Sequence, residues 1–321
     1  MNINPSYRHT AVAVALAVSL PLLSQSAKLL PQRKFPKAIP AGNYSGIAAL
    51  GGNRYAVVSD KSPDGFFLFR IDIDSITGHI LDAACESFLP SGRPNRDQEG
   101  IAYDPLLHRL FISGEADGEI HEHALDGTLI ATHPVAIATT ALPNRSLEAL
   151  TFDSSSRTFF TTTETPVRGD SLLRILQLDS LMQPIGQYAY RLDPPKHRKK
   201  RRNVVANGVS ALCALGDGRL LVLEREVYVP PLRIGSSVRV RLYAVRPSHP
   251  AELQKTLVCQ FTTHLNIISR KFANYEGLCL ARPLADGRHL LLLIADSQNQ
   301  LRGYLRDWMR TIIVESEQNA H

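Results

Sequence analysis

A short segment that recurs five times constrains this chain more than any other feature. Ser45-Gly-Ile-Ala-Ala-Leu, Glu99-Gly-Ile-Ala-Tyr-Asp, Glu148-Ala-Leu-Thr-Phe-Asp, Ser210-Ala-Leu-Cys-Ala-Leu and Glu276-Gly-Leu-Cys-Leu-Ala align position by position. Each opens on Ser or Glu, followed by a small, an aliphatic and another small residue. The starts lie 54, 49, 62 and 66 residues apart, near the roughly 40–50 residues of a propeller blade, with insertions in the later units.

The residues after each segment repeat as well. Turn residues lead into an almost wholly apolar strand (residues 55–59, 110–113, 158–161, 220–223 and 290–294). An alternating third strand follows (66–72, 119–125, 171–178, 238–243 and 300–305), and a fourth is visible at 187–192 and 253–261. Apolar inner strands and alternating outer ones suit radial sheets packed between neighbours. A sandwich has no reason to repeat one four-strand unit five times. The expected fold is therefore all-β, a propeller of five to six four-stranded antiparallel blades. Either a degenerate sixth blade lies within the long units, or residues 28–39 close the ring.

The N-terminus sets the expected compartment. Tyr7, Arg8 and His9 precede an apolar run over residues 11–23, then Ser24-Gln25-Ser26-Ala27. A basic head, a short apolar segment interrupted by Pro21 and small residues at its end describe a secretory signal peptide. Residues 1–27 are assigned to it and 28–321 to a single propeller domain, exported to a periplasmic or extracellular space. No later stretch is long and apolar enough for a membrane-spanning helix. A monomer is expected.

Net charge is +6, with 36 basic against 30 acidic residues. The run 196–202 alone supplies six positive charges, so the rest of the chain is near neutral. This loop reads either as a solvated insertion or as a contact for an acidic surface or phosphate-rich ligand. Export argues against nucleic acid. Cys85, Cys213, Cys259 and Cys279 form no CxxC pair; Cys213 and Cys279 hold equivalent repeat positions and read as buried small hydrophobes.

Chemistry is expected at one end of the repeat. The second strands lead to Asp60, Glu115, Glu164, Glu224 and Asp296, on the same hairpin edge as the Ser/Glu openings. In a propeller those edges converge on one mouth of the central channel, where up to eight carboxylates would meet. Gathered like charges need cations. An oxygen-only set suits a hard ion, and Ca²⁺ accepts six to eight such ligands. Lys61, Arg96 and Arg225 are the nearby bases, with roles in neutralising an anionic substrate or the carboxylates themselves. His121 and His123 lie on one face of an outer strand and read as surface residues. No GxSxG, HExxH, GxxxxGK or GxGxxG occurs. Asn43 and Asn144 open glycosylation sequons.

At these acidic repeats the sequence resembles the phytase-like ("esterase-like activity of phytase") domain proteins and is distantly similar to calcium-dependent β-propeller phytases. The resemblance is carried by Asp97-Gln-Glu-Gly-Ile-Ala-Tyr-Asp with Gly114-Glu115, Leu147-Glu-Ala-Leu-Thr-Phe-Asp with Thr163-Glu164, Leu221-Val-Leu-Glu-Arg-Glu226, and Asn274-Tyr-Glu-Gly-Leu with Ala295-Asp296. It implies a secreted propeller with its site at the channel mouth, where Glu99, Glu115, Glu148, Glu164 and Glu276 face calcium. Asp296 joins them by its place in the hairpin. Ser45 and Ser210 stand where the family carries Glu. The leading expectation is a calcium-assisted hydrolase of small phosphorylated substrates, with Glu99 and Glu276 catalytic and Lys61, Arg96 and Arg225 binding phosphate. A carboxylic ester or lactone hydrolase and a non-catalytic ligand-binding propeller are the alternatives.

Overall fold

The computed structural model describes residues 27–248, 252–265, 270–300 and 305–315. Two short N-terminal strands, β1 (Ala27–Leu29) and β2 (Arg33–Lys34), precede five sheets. Blade 1 is β3 (Tyr44–Gly51), β4 (Arg54–Ser59), β5 (Gly65–Ile73) and β6 (Ile80–Pro90). Blade 2 is β7 (Gln98–Asp104), β8 (Arg109–Gly114), β9 (Glu119–Ala124) and β10 (Leu129–Pro134). Blade 3 is β11 (Leu147–Asp153), β12 (Thr158–Thr163), β13 (Leu173–Leu178) and β14 (Pro184–Tyr190). Blade 4 is β15 (Val204–Ala214), β16 (Leu220–Val229), β17 (Ser237–Val245) and β18 (Thr256–His264). Blade 5 takes β19 (Asn274–Leu280), β20 (His289–Asp296) and β21 (Trp308–Val314) from the C-terminal part and β1 as its fourth strand. Every pairing within the blades is antiparallel, and the blade count is five.

The N-terminal segment closes the ring. Ala27 pairs with Val314 and Leu29 with Ile312, while Arg33 and Lys34 of β2 pair with the other end of β21. Strands from the N-terminal and C-terminal parts of the chain thus share one sheet, which ties the last blade to the start of the first. Residues 1–26, which carry the expected leader, lie outside the described residues. The third strand of the last unit differs from expectation. It is Trp308–Val314, whose apolar run fills the blade 5 core, while residues 301–304 of the expected strand lie outside the described residues. Met309, Ile312, Ile313 and Val314 are all buried.

The inner strands β3, β7, β11, β15 and β19 touch one another in sequence around the channel, with β19 meeting β3. They come close enough to explain the small second residue of the repeat. A Cβ on Gly46 would stand 2.4 Å from the carbonyl oxygen of Glu99, and one on Gly100 2.4 Å from the Leu150 amide nitrogen. Between blades the core is aliphatic and aromatic, as in the Tyr44, Phe69 and Phe35 cluster and the Phe111–Phe159 contact. Cys213 and Cys279 are buried in the same layers and unpaired, their thiols pushed up by burial, to about 12 for Cys213. One end of the channel is apolar, lined by residues such as Leu50, Tyr103, Phe152 and Leu280. The other is not.

A ring of carboxylates at the channel mouth

All five inner hairpins carry a β-bulge at the same place. Ladder register slips between Tyr44 and Gly46, Gln98 and Ile101, Leu147 and Ala149, Val209 and Ala211, and Tyr275 and Gly277. Ser45, Glu99, Glu148, Ser210 and Glu276 are the residues within those slips. A bulge bends its strand and re-aims the extra side chain, so one local device, repeated five times, brings the opening residues of the repeat together. Burial and Glu148 and Glu276, its bulge neighbours in blades 3 and 5, hold the Glu99 carboxyl well above the usual range, with Asp60 and Glu115 adding to it.

The register also fixes the second tier. Val58, Ile112, Thr162, Leu223 and Ile294 stand opposite or next to the slips, so the residues that turn out of the strand ends correspond as Asp60, Glu115, Glu164, Arg225 and Asp296. The expectation that Glu224 belongs to this set is corrected here. Glu224 pairs with Val209 and matches Ser59, Gly114, Thr163 and Ala295 in the other blades. A one-residue slip along a strand reverses the face on which a side chain projects. Glu224 is buried away from the ring, where it accepts from Tyr190 at 2.7 Å, Lys255 at 2.7 Å and Arg241 at 3.0 Å. Arg225 takes the fifth place, and the mouth carries seven carboxylates and one guanidinium.

Arg225 is the hub of one side. Its guanidinium donates to Glu276, to Glu148 at 3.2 Å and to Asn274 at 3.0 Å, and stands 3.7 Å from Glu164. Asn274 also donates to Glu276 at 2.8 Å, and Arg145 secures Glu164 from outside at 2.8 Å. Burial opposes the arginine charge, but Glu276 and Glu148 outweigh it and hold the guanidinium protonated. The other arc is less well served. Among the described residues Glu99 has no hydrogen-bond or ion-pair partner. Asp60 is held by Lys61 at 3.0 Å through one oxygen, and its other oxygen is buried without a partner. Among the described residues Asp296 accepts only from the Gln298 amide, at 2.6 Å, and burial together with Glu276 raises it well above the carboxylate range. Burial also raises Asp60 and Glu115, the latter accepting from the Ser146 amide at 3.2 Å. Ser45 and Ser210 are structural: each hydroxyl donates to the carbonyl before the next blade's bulge, on Gln98 at 2.5 Å and on Tyr275 at 3.4 Å.

The three bases proposed to meet a substrate are placed differently. Lys61 is exposed at the rim, bound to Asp97 at 2.9 Å as well as to Asp60. Arg225 lies within the ring and is engaged by its glutamates. Arg96 is buried between blades 1 and 2, where Asp117 at 2.5 Å, Asp64 at 3.4 Å and the Glu119 carbonyl at 3.0 Å occupy it. The basic loop stands on the mouth side of blade 4, whose hairpin extends past the bulge to Val204 and Val229. It is anchored: buried Glu226 accepts the amides of Lys196 and His197 at 2.9 and 2.8 Å, and the His197 ring stacks on Tyr228 at 3.9 Å. Arg198, Lys199, Lys200, Arg201 and Arg202 remain exposed.

The donor set suits calcium in kind, being carboxylate only. Its spacing is open. Among the described residues, the groups of three His, Cys, Asp or Glu side chains with ligand atoms within 4.8 Å of one another both lie elsewhere, around His121. A hard cation would therefore need the Asp60, Glu99 and Asp296 arc to draw in, since Ca²⁺–oxygen bonds are about 2.3–2.6 Å.

Similarity to known proteins follows the same outline. A search of curated proteins finds no match. Among solved structures the chain is similar to the PQQ-bound aldose sugar dehydrogenase of Streptomyces coelicolor, at 14% identity and a TM-score of 0.45, covering 90% of this chain and 98% of that one. It is also similar to the Kuenenia stuttgartiensis hydrazine synthase, at 8% identity and a TM-score of 0.40, covering 82% and 80%. The family model for phytase-like domains, described as "esterase-like activity of phytase", matches residues 39–298, which take in all five bulges, and the chain belongs to that family.

Proposed function

We propose that this protein is a cation-assisted hydrolase of small anionic esters, phosphoesters foremost, working at the carboxylate ring. The observation that carries the reading is the imbalance of the ring: seven carboxylates converge, Arg225 and Arg145 serve one side, and Glu99 has no partner among the described residues. A half-buried, unpartnered carboxyl with a raised pKa retains its proton nearer neutrality, which suits general acid–base work. Glu99 and Glu276 are the proton-handling candidates. Asp60, Glu99 and Asp296 would hold the divalent ion, with Glu115, Glu148, Glu164 and Glu276 completing the acidic wall. Ca²⁺ is the ion proposed; bound there, it would supply Lewis-acid polarisation of a phosphoryl oxygen. Lys61 is the base available at the rim, and the exposed cations of 198–202 would draw anionic substrates toward the mouth. Arg225 fixes the glutamates that face it and is a positioning residue in this scheme. Arg96 has no part in it, because its guanidinium is buried among other partners.

A binding propeller is the second reading, favoured by one observation: a protein guanidinium already neutralises Glu148, Glu164 and Glu276. The two separate by assay. Release of phosphate from an inositol phosphate that rises with added Ca²⁺, falls with EDTA and disappears in E99Q is the expected result. Turnover of a p-nitrophenyl acyl ester without phosphate release would redirect the reading to carboxylic esters. No turnover of either, with Ca²⁺ leaving the melting temperature unchanged, would leave the binding propeller. Export through the N-terminal segment fits an ion that is abundant outside cells, and belongs to the same proposal.

A further inference from the structure

His121 and His123, which read as surface residues in the sequence, are buried, as is Asp64. Two residues apart on β9, the imidazoles share one face and are turned towards Asp64, which enters β5 of blade 1. His121 Nδ1 lies 3.8 Å and His123 Nε2 3.7 Å from the same oxygen, Asp64 Oδ2. Neither nitrogen has a hydrogen-bond partner among the described residues, although both are fully enclosed. The far nitrogens are engaged: His123 Nδ1 with the Gly127 carbonyl at 3.3 Å and His121 Nε2 with Glu119 at 3.3 Å. A carbonyl accepts only, so His123 Nδ1 carries the ring proton and Nε2 presents a lone pair to the carboxylate. Glu119 orients His121 in the same sense.

Two lone pairs facing a carboxylate oxygen in a buried space repel unless a cation lies between them. Nitrogen-to-oxygen separations of 3.7 and 3.8 Å are too long for a direct hydrogen bond. They lie near the edge of about 3.4 Å expected for ligands around a tetrahedral Zn²⁺ with bonds of about 2.0–2.1 Å. The charges agree. Asp64, Asp117 and Glu119 face Arg96 alone, which leaves two negative charges around neutral imidazoles. Arg96 holds Asp64 through Oδ1 at 3.4 Å, and the Ser91 hydroxyl donates to Oδ2, the oxygen that the imidazoles face. Such outer partners orient ligands in metal centres.

We propose that Asp64, His121 and His123 form a transition-metal site, for Zn²⁺ or a similar divalent ion, that clips blade 1 to blade 2. Two imidazoles and a carboxylate select such a metal over Ca²⁺, so this centre and the carboxylate ring call for different ions. Enclosure by Arg96 and the blade core makes it a structural centre and not a substrate site.

The test is to strip the untagged full chain with a chelator and titrate it with Co²⁺, then with Zn²⁺. One Co²⁺ per chain with intense visible absorption of low-coordinate geometry, displaced by one Zn²⁺, is expected, with a rise of several degrees in melting temperature. H121Q and H123Q should lose the absorption and the shift, while the double variant E99Q/E276Q keeps both. Weak octahedral-type absorption, or less than one tightly held Co²⁺ in the wild-type chain, would overturn the proposal without reference to any variant. So would retention of the band in both histidine variants when circular dichroism shows them folded.

Discussion

Two buried acidic centres on the mouth side of this propeller treat their carboxylates in opposite ways. In the ring, burial and mutual repulsion raise Glu99, Glu148, Glu276 and Asp296. Between blades 1 and 2, burial would raise Asp64 too, but the Ser91 hydroxyl and the Arg96 guanidinium are among the groups that outweigh it and bring it down to about 2. The difference is one of partners, not depth. Asp64 is held by the Ser91 hydroxyl and the Arg96 guanidinium, whereas the ring sets seven carboxylates against Arg225, Arg145 and Lys61. The first arrangement keeps a charge; the second keeps protons, or waits for a cation.

The largest effect should come from removing the ring's hub. Arg225→Gln leaves Glu148 and Glu276 buried without their cation, a change that typically costs about 3–5 kcal/mol. Urea unfolding at pH 8 should show it, with a smaller loss at pH 5, where protonation relieves the glutamates. Equal losses at the two pH values would mean that the ring is not electrostatically loaded.

The same chemical change should then have opposite signs in the two centres. Asp64→Asn removes one of the two carboxylates that Arg96 meets and the acceptor of Ser91, and is expected to destabilise by about 1–3 kcal/mol. Glu99→Gln removes an unpartnered charge from a repelling set, and should raise the melting temperature at pH 8 while abolishing hydrolysis. A gain of stability at a functional position is the trade-off familiar from other sites. Two losses of equal size would erase the contrast drawn here.

Acid and base separate the centres further. Folded-state values above the unfolded ones mean that the ring's contribution is complete below about pH 4.5 and is lost as pH rises through the raised values. Asp64 works the other way: its contribution is present above about pH 4 and is lost as pH falls through about 2. Melting temperature against pH should therefore decline on the alkaline side, with a shallower decline in E99Q. Added Ca²⁺ should flatten it, and do more at pH 8 than at pH 5. The smallest expected effect is at the basic loop. His197→Ala removes a hydrogen bond to buried Glu226 and a stacking contact with Tyr228, worth about 1 kcal/mol, and should leave Ca²⁺-dependent melting unchanged.

Much of this architecture is legible in the chain. The five Ser/Glu-small-aliphatic segments mark the inner strands, and their small second residue is required by a neighbouring backbone, as Gly46 against Glu99 makes plain. The apolar second strands and the acidic positions after them follow from strand periodicity. What escaped is the exact register. Glu224 and Arg225 are adjacent, and only the bulge at Ser210 decides which of them turns to the channel. The last blade's third strand was obscured because residues 300–305 alternate polar and apolar as an outer strand should, whereas 308–314 are mostly apolar and reveal their place only by pairing with β20 and β1.

The sequence by itself determined the repeat, the all-β class and the gathering of acids at one end of each hairpin, because these follow from local periodicity. Tertiary structure alone decided which charges meet. His121 and His123 show no sign in the sequence of facing Asp64 from another blade, and Arg225 none of lying among three glutamates from blades 3 and 5. Such meetings depend on how whole blades are turned against one another, and no spacing along the chain records that angle.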